Sequence, residues 1–313
     1  MPETHSEPRF GGVHTIMPTP FTPEGALDEP SLARLTAFLA GLGLNGVVVL
    51  GVMGEAPKLS ESEQAAVIVT TVRAAGTLPV FAGSGAAGTR LAVEKSLKAM
   101  ELGAAGLLIA PPPVQADGVI FEYYRQLDAA LAGSEAPLIL HDYPAATGVR
   151  LSVELVTRLH GELGRVKAIK LEDPPTGPKI SALRKANPRL GILGGLGGMY
   201  FLQELERGAD GLMTGFSYPE ALTAIYRAFM GGDLEAAART FYAISPLLSF
   251  EFQPGVGLAL RKEVYRRRGA IASAHVRHPG AQIDATLQRE LSNLLDRPDI
   301  QAALGQTRAG VTA

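Results

Sequence analysis

The chain has 313 residues, 46% of them hydrophobic and 19% charged, and a formal net charge of −2; this balance fits a globular protein with a sizeable core and gives no sign of a nucleic-acid partner. Cysteine is absent, which excludes disulfides, thiolate metal sites and cysteine nucleophiles. Met1–Phe10 is polar and acidic with no apolar signal core, and no later apolar run reaches membrane-spanning length, so a cytoplasmic protein with no membrane partner is expected.

Along the chain, apolar β-favouring runs that end in Gly or Pro alternate with longer stretches carrying Leu, Ala and Val at helical spacing, the pattern of βα repetition. The first strand is expected at Gly12–Phe21, closed by Pro18 and Pro20, with a turn at Pro23–Gly25 and a helix from about Ser31. Gly46–Gly51 is the second, and Ser60 with Glu63 three residues on announces its helix by a capping box. Further strands are expected at Pro79–Gly83, Gly106–Pro111, Pro137–Pro144, Val166–Asp173, Leu190–Gly195 and Gly211–Phe216, eight in all. Between them lie the helical segments Thr89–Leu102, Ile120–Leu131, Ser152–His160, Pro178–Ala186 and Met199–Arg207. Eight βα units predict an α/β fold, a closed (β/α)8 TIM barrel over residues 1–230. After Pro219 the pattern is wholly helical, with Leu222–Met230, Leu234–Phe250, Gly257–Arg268 and Ile283–Leu294 as helices and Gly269–Ala281 as loop; residues 231–313 form a helical C-terminal extension.

Candidate functional groups belong at the C-terminal strand ends, where such barrels keep their chemistry. In Val166–Asp173 (VKAIKLED), alternation places Val166, Ala168 and Lys170 on one face and Lys167, Ile169 and Leu171 on the other. A lysine in the apolar register is unusual, although taken alone it fits a snorkelling strand end. The fifth strand ends in His141–Asp142–Tyr143–Pro144, with His141 and Tyr143 on one face; His141 is a candidate acid/base and equally a satisfied structural histidine. Gly51–Glu55 (GVMGE) is a turn able to offer backbone N–H groups to an anion, or a plain βα turn. Gly83–Gly88 has dinucleotide-fingerprint spacing but lacks the acidic residue about 20 positions on, so no nucleotide is expected. His275 and His278 have no third ligand nearby, so neither a metal nor any other cofactor is expected. Arg261, Lys262 and Arg266–Arg268 are expected to form a solvated helix face. Glu172 and Asp173 are open between rim charges and helix-entry acids.

These pieces, in order, resemble the class I, Schiff-base-forming aldolase and dehydratase superfamily that includes dihydrodipicolinate synthase, N-acetylneuraminate lyase and 2-keto-3-deoxygluconate aldolase. The anchors are Thr19–Pro20–Phe21, Gly51–Glu55 with Leu59–Ser60, Tyr143–Pro144 with Thr147–Gly148, Ile169–Lys170 and Gly194–Gly195, and the likeness runs from about Gly12 to the C-terminal helices. The resemblance implies a homotetramer or homodimer and a lyase in which Lys170 condenses with pyruvate or another 2-oxo acid. By the same resemblance the backbone around Val52–Met53 holds the substrate carboxylate, with Thr19, Gly51, Gly54, Tyr143, Gly195 and Met213 also at the substrate. The departures bear on substrate: the family's GTTGE is GVMGE here, its tyrosine and arginine in YNVPxRTG are His141 and Ala146, and a tyrosine pair is replaced by Pro112 and Pro113. The synthases' threonine–tyrosine–tyrosine relay is therefore absent, which points away from the synthase itself and towards the sugar-acid aldolases.

A free lysine amine is protonated at neutral pH, and burial disfavours the ammonium. The neutral amine attacks a ketone and gives an imine, an electron sink that permits loss of a C3 proton or cleavage of a C3–C4 bond. His141, at the missing tyrosine's place, is expected to shuttle the proton. The expected function is an aldolase or dehydratase acting on a 2-oxo acid, possibly sugar-derived. The alternatives are 4-hydroxy-tetrahydrodipicolinate synthase, condensing pyruvate with aspartate semialdehyde, and a non-catalytic 2-oxo-acid binder.

Overall fold

The structure, a computed structural model, describes residues 9–309; most of the Met1–Phe10 expectation thus lies outside the described residues. Strands β1 (Gly12–Ile16), β2 (Gly46–Val49), β3 (Val80–Gly83), β4 (Gly106–Ile109), β5 (Leu138–Asp142), β6 (Val166–Leu171), β7 (Gly191–Gly194) and β8 (Gly211–Thr214) pair in parallel in sequence order. β8 returns to β1 and closes the barrel. Each strand is shorter than its apolar run; at β1 and β4 the limit is proline, which cannot add an N–H to a parallel ladder, since Pro18 and Pro20 follow β1 and Pro111–Pro113 follow β4.

The helices are α1 (Glu29–Ala40), α2 (Glu61–Ala74), α3 (Thr89–Glu101), α4 (Asp117–Ala130), the single turn α5 (Pro144–Thr147), α6 (Val153–Glu162), α7 (Thr176–Ala186), α8 (Phe201–Glu206) and α9 (Pro219–Met230). The expected capping box opens α2: Ser60 Oγ accepts from the Glu63 amide and the Glu63 carboxylate accepts from the Ser60 amide. Beyond α9 come α10 (Leu234–Glu251), α11 (Gly257–Arg267), α12 (Ala285–Leu295) and α13 (Pro298–Ala309). No apolar periodicity announces α13, which begins at Pro298 and, among its described side chains, buries Ile300, Ala303 and Leu304. Among the described residues no helix is long and apolar enough to cross a membrane.

Ile16, Val48, Phe81, Leu108, Ile139, Ala168, Leu193 and Met213 fill the barrel interior. Beneath them Phe10 and His14 stack with ring centroids 5.0 Å apart. Burial holds the His14 imidazole down to about 4 against a bond to the Gly11 carbonyl, so it is a neutral part of this floor.

The register of β6 corrects one detail of the alternation. The β5–β6 ladder slips between Leu138 and Ile139, whose partners are Val166 and Ala168, so exposed Lys167 is passed over. Val166 therefore packs in the outer core with Ile169 and Leu171, not with Ala168 inside. The bulge resets the alternation after Lys167, and Lys170 keeps its inward face.

The basic run is also not a solvated face. Lys262 is fully buried, 2.6 Å from Glu55 Oε1 and over the Phe21 ring. The Arg268 side chain pairs with Glu220 and lies against Phe38 and Tyr218. Only Arg266 and Arg267 are partly open, both on Glu263. Partnered cations tie α11 to the turn after β2 and to α9, and the sequence read singly did not reveal their partners.

Candidate active site

The strand ends and the α10–α11 connection enclose a cavity of about 510 Å³. β6 carries Lys170 into it, and the ladder places His141 of β5 directly beside Lys170. Just beyond the end of β6 the alternation turns Glu172 the same way. Lys170 Nζ is 2.6 Å from Glu172 Oε2 and 3.2 Å from His141 Nε2, while His141 Nε2 is 2.8 Å from the same Glu172 oxygen. An imidazole nitrogen has either a proton or a lone pair to offer. With the proton on Nε2, His141 and Lys170 both donate to Glu172 Oε2; Glu172 Oε1 accepts from the Leu196 amide at 2.8 Å.

All three groups are buried, and that sets the electrostatics. Burial pushes the Glu172 carboxyl up, but Lys170 and His141 outweigh it and hold it well below the usual carboxylate range. Burial, reinforced by the charge of Lys170 and opposed by Glu172, holds the His141 imidazole below its ordinary value. At neutral pH the cluster therefore contains a carboxylate and a neutral imidazole at the lysine amine. The half-buried Tyr143 stacks on His141 with centroids 5.7 Å apart. Burial and the Glu172 charge push its phenol up, against Arg261.

Of the residues expected at the substrate, Gly51, Val52, Met53 and Tyr143 line the cavity together with Lys170 and His141. Thr19, Gly54, Gly195 and Met213 stand behind the lining. Thr19 Oγ1 donates to the Gly54 carbonyl at 2.6 Å and so pins the turn that carries Met53. Met213 belongs to the packed barrel floor. Gly195 leaves room for Glu172, since a Cβ there would lie 2.3 Å from Glu172 Cγ.

Three lining groups were missed or left open. Glu172 turns inward and Asp173 outward, where Asp173 holds Lys179 and Arg150. Thr214, at the end of β8, accepts from the Gly197 amide. Arg261 enters from α11. The signal for Glu172 was its spacing of two from Lys170; Arg261 had none, being one of several basic residues on a distant helix. In the Gly83–Gly88 run, Gly83 has a packing cause, since a Cβ there would lie 2.3 Å from the Leu50 carbonyl oxygen, whereas a Cβ on Gly88 would meet nothing within 4 Å. Among the described residues no group of three or more His, Asp or Glu side chains could hold a metal ion.

Residues 9–297 match the model of the dihydrodipicolinate synthetase family. The chain belongs to that family. Among relatives, L-2-keto-3-deoxyarabonate dehydratase of Azospirillum brasilense is 29% identical over 302 residues, covering 94% of this chain and 96% of its own. The 4-hydroxy-tetrahydrodipicolinate synthase of Sorangium cellulosum is 36% identical over 248 residues, covering 76% of this chain and 80% of its own. Among solved structures, a dihydrodipicolinate synthase from Rhodopseudomonas palustris superposes with a TM-score of 0.86 at 37% identity, covering 91% of this chain and 96% of that one. The synthetase family thus accounts for the closed barrel and its C-terminal helices, while its named members divide between a dehydratase and synthases.

Proposed function

We propose that this chain is a lyase that forms a Schiff base between Lys170 and a 2-oxo acid and acts as an aldolase or dehydratase on it. The observation that carries the reading is the buried contact of Lys170 Nζ with Glu172 and His141 inside the cavity. Glu172 Oε2 receives a proton from Nζ, and the freed amine pair attacks the carbonyl carbon to give a carbinolamine. The same proton, returned to the carbinolamine hydroxyl, lets water leave as the imine forms. The imine then draws the electrons of a C3–H bond into an enamine, or those of a C3–C4 bond as an aldehyde departs. In the dehydratase direction the enamine expels the C4 hydroxyl, which leaves as water with a proton from this cluster. His141 is the residue placed to move these protons, and its neutral imidazole suits the role.

A dehydratase acting on a sugar-derived 2-oxo acid is favoured by the near full-length similarity to the Azospirillum brasilense enzyme. The second reading, condensation of pyruvate with aspartate semialdehyde, is favoured by the similarity to the Sorangium cellulosum synthase. Against it stand His141, Ala146, Pro112 and Pro113 in place of the family's tyrosines and arginine. The chemistry is tested by incubating the protein with pyruvate and borohydride. A stable adduct at Lys170, absent in Lys170→Ala, is expected, and labelling indifferent to that substitution would refute it. A panel of 2-keto-3-deoxy sugar acids, with pyruvate and aspartate semialdehyde as the competing pair, then separates the two readings, and an adduct without turnover on any of them would leave only a binder.

A further inference from the structure

Two side-chain O–H groups line the cavity, Tyr143 and Thr214. Thr214 ends β8, its oxygen occupied by the Gly197 amide at 3.0 Å, and threonine is not among the side chains that act as general acids near neutral pH. Tyr143 follows β5 on the face of His141, one pleat further towards the C-terminal rim. Its ring stacks on the imidazole with an interplanar angle of 24°, and its carbonyl accepts from the Ala146 and Thr147 amides at 3.0 Å, which fixes it at the start of α5. Buried phenols elsewhere are committed: Tyr124 donates to the Ile109 carbonyl at 2.9 Å and Tyr265 to the Phe216 carbonyl at 3.1 Å. The Tyr143 hydroxyl is bonded to none of the described residues, and its side chain faces the cavity.

Glu172 Oε2 and His141 Nε2 both contact Lys170 Nζ, so they serve the imine carbon and C3. An oxygen on C4 lies further from the nitrogen, and Tyr143 is the next acid along the face of His141. Loss of that oxygen as water needs a proton, because hydroxide is a poor leaving group. Cleavage of the C3–C4 bond needs the reverse, a base that takes the proton of the C4 hydroxyl. Burial and the charge of Glu172 raise the Tyr143 phenol, against Arg261, so it stays protonated and is suited to the first task.

We propose that Tyr143 is a catalytic residue whose phenol protonates the C4 hydroxyl as it leaves, and that it commits the cavity to dehydration rather than C3–C4 cleavage. This rests on the Schiff-base reading of Lys170. The enamine nitrogen's electron pair re-forms the imine, a C3=C4 double bond forms, and the C4–O bond breaks as the hydroxyl departs with the phenol proton as water. The phenolate left behind faces the positive charge of Arg261, which is itself paired with Glu251 at 3.6 Å. It then regains, through the stacked His141, the proton that C3 gave up to the cluster, so the enzyme ends with the protons it started with. The tyrosine position of the family's YNVPxRTG motif is His141 in this chain; the phenol proposed as the acid stands two residues further on.

The test compares the full-length wild type with Tyr143→Phe, which keeps a ring on His141 and removes only the hydroxyl. Dehydration of the 2-keto-3-deoxy sugar acid that wild type turns over fastest is expected to fall by about 10²-fold or more. Borohydride trapping of pyruvate at Lys170, and exchange of the pyruvate C3 protons for solvent deuterium, should stay within about threefold of wild type, since neither step needs the phenol. The probe 4-fluoro-2-oxobutanoate undergoes the same elimination with a leaving group that departs without a proton, so fluoride release by the variant should also stay within about threefold. Dehydration by Tyr143→Phe within about twofold of wild type would overturn the proposal. A parallel loss of fluoride release would overturn it too, leaving Tyr143 as a support for His141, as would a wild type that releases fluoride but dehydrates none of the acids. A wild type that dehydrates without forming an adduct at Lys170 would overturn the Schiff-base reading alone, and one with neither adduct nor turnover would overturn both.

Discussion

Glu172 Oε2 lies 2.6 Å from Lys170 Nζ and so competes with any substrate for that amine. The same oxygen serves His141 Nε2 at 2.8 Å, which makes one carboxylate the junction between the lysine that would bond carbon and the imidazole that would move protons. Substituting Glu172→Gln keeps the acceptor for the Leu196 amide but removes the charge that draws a proton from Nζ. Turnover is expected to fall by about 10²–10³-fold, the range of a lost acid/base group. Stopped-time borohydride trapping should show imine formation slowed with it; trapping at the wild-type rate would restrict Glu172 to a structural role.

The His141 imidazole is held below its ordinary value by burial and the charge of Lys170, against Glu172. A group shifted this way is neutral at pH 7 and gains its proton only below about 6.5, the unperturbed value for histidine. The acid limb of the pH–rate profile is therefore expected below that point. His141→Asn should lower kcat by about 10²-fold or more and erase the limb, as expected for a lost proton shuttle. An unchanged profile in this variant would reassign proton transfer to Glu172 alone.

Gly195 never touches the cavity, yet the position is expected to be intolerant. A methyl added there would lie within 2.5 Å of Glu172 Cδ and Oε1 and push the carboxylate away from Lys170. Gly195→Ala should therefore cost at least about tenfold in kcat, because small misplacements of reacting groups are expensive. Its effect should be largely absent in a Glu172→Gln background, since both changes act through one carboxylate. Additive losses in the double variant would show that Gly195 matters for another reason.

The fold was legible because eight apolar runs with Gly or Pro ends repeat at βα spacing, and strand order in such a barrel follows chain order. Lys170 was legible because a lysine in an apolar register stands out. The strand's own bulge at Lys167 was not, since nothing in VKAIKLED marks where the ladder skips; only pairing with Leu138 and Ile139 reveals it. Glu172 was within reach, two residues past Lys170 on the same face, but the strand's end hid whether alternation continued. Arg261, Lys262 and Arg268 were misjudged for a different reason. A run of positive charge on a helix is usually solvated, and here the compensating groups Glu251, Glu55 and Glu220 lie between 10 and 207 residues away in sequence.

Glu204 offers a check on stability that is independent of the chemistry. It is 1% exposed, Thr176 Oγ1 donates to its Oε1 at 2.7 Å, and its Oε2 has no hydrogen-bond partner among the described residues. Burial raises its carboxyl to about 7, opposed by Thr176 and reinforced by the charge of Glu172. The folded state therefore binds more protons than the unfolded chain between about pH 4.5, the ordinary carboxyl value, and about 7. Stability contributed at this site is highest below that window and declines as pH rises through it, by up to about 3 kcal/mol. Glu204→Gln keeps an acceptor for Thr176 and cannot ionise. Urea denaturation should find the variant about 1–3 kcal/mol more stable than wild type at pH 8 and close to it at pH 4.5. The other buried carboxyls titrate alike in both proteins and cancel in the difference, so a gap that is the same at both pH values would mean that Glu204 does not change charge across this window.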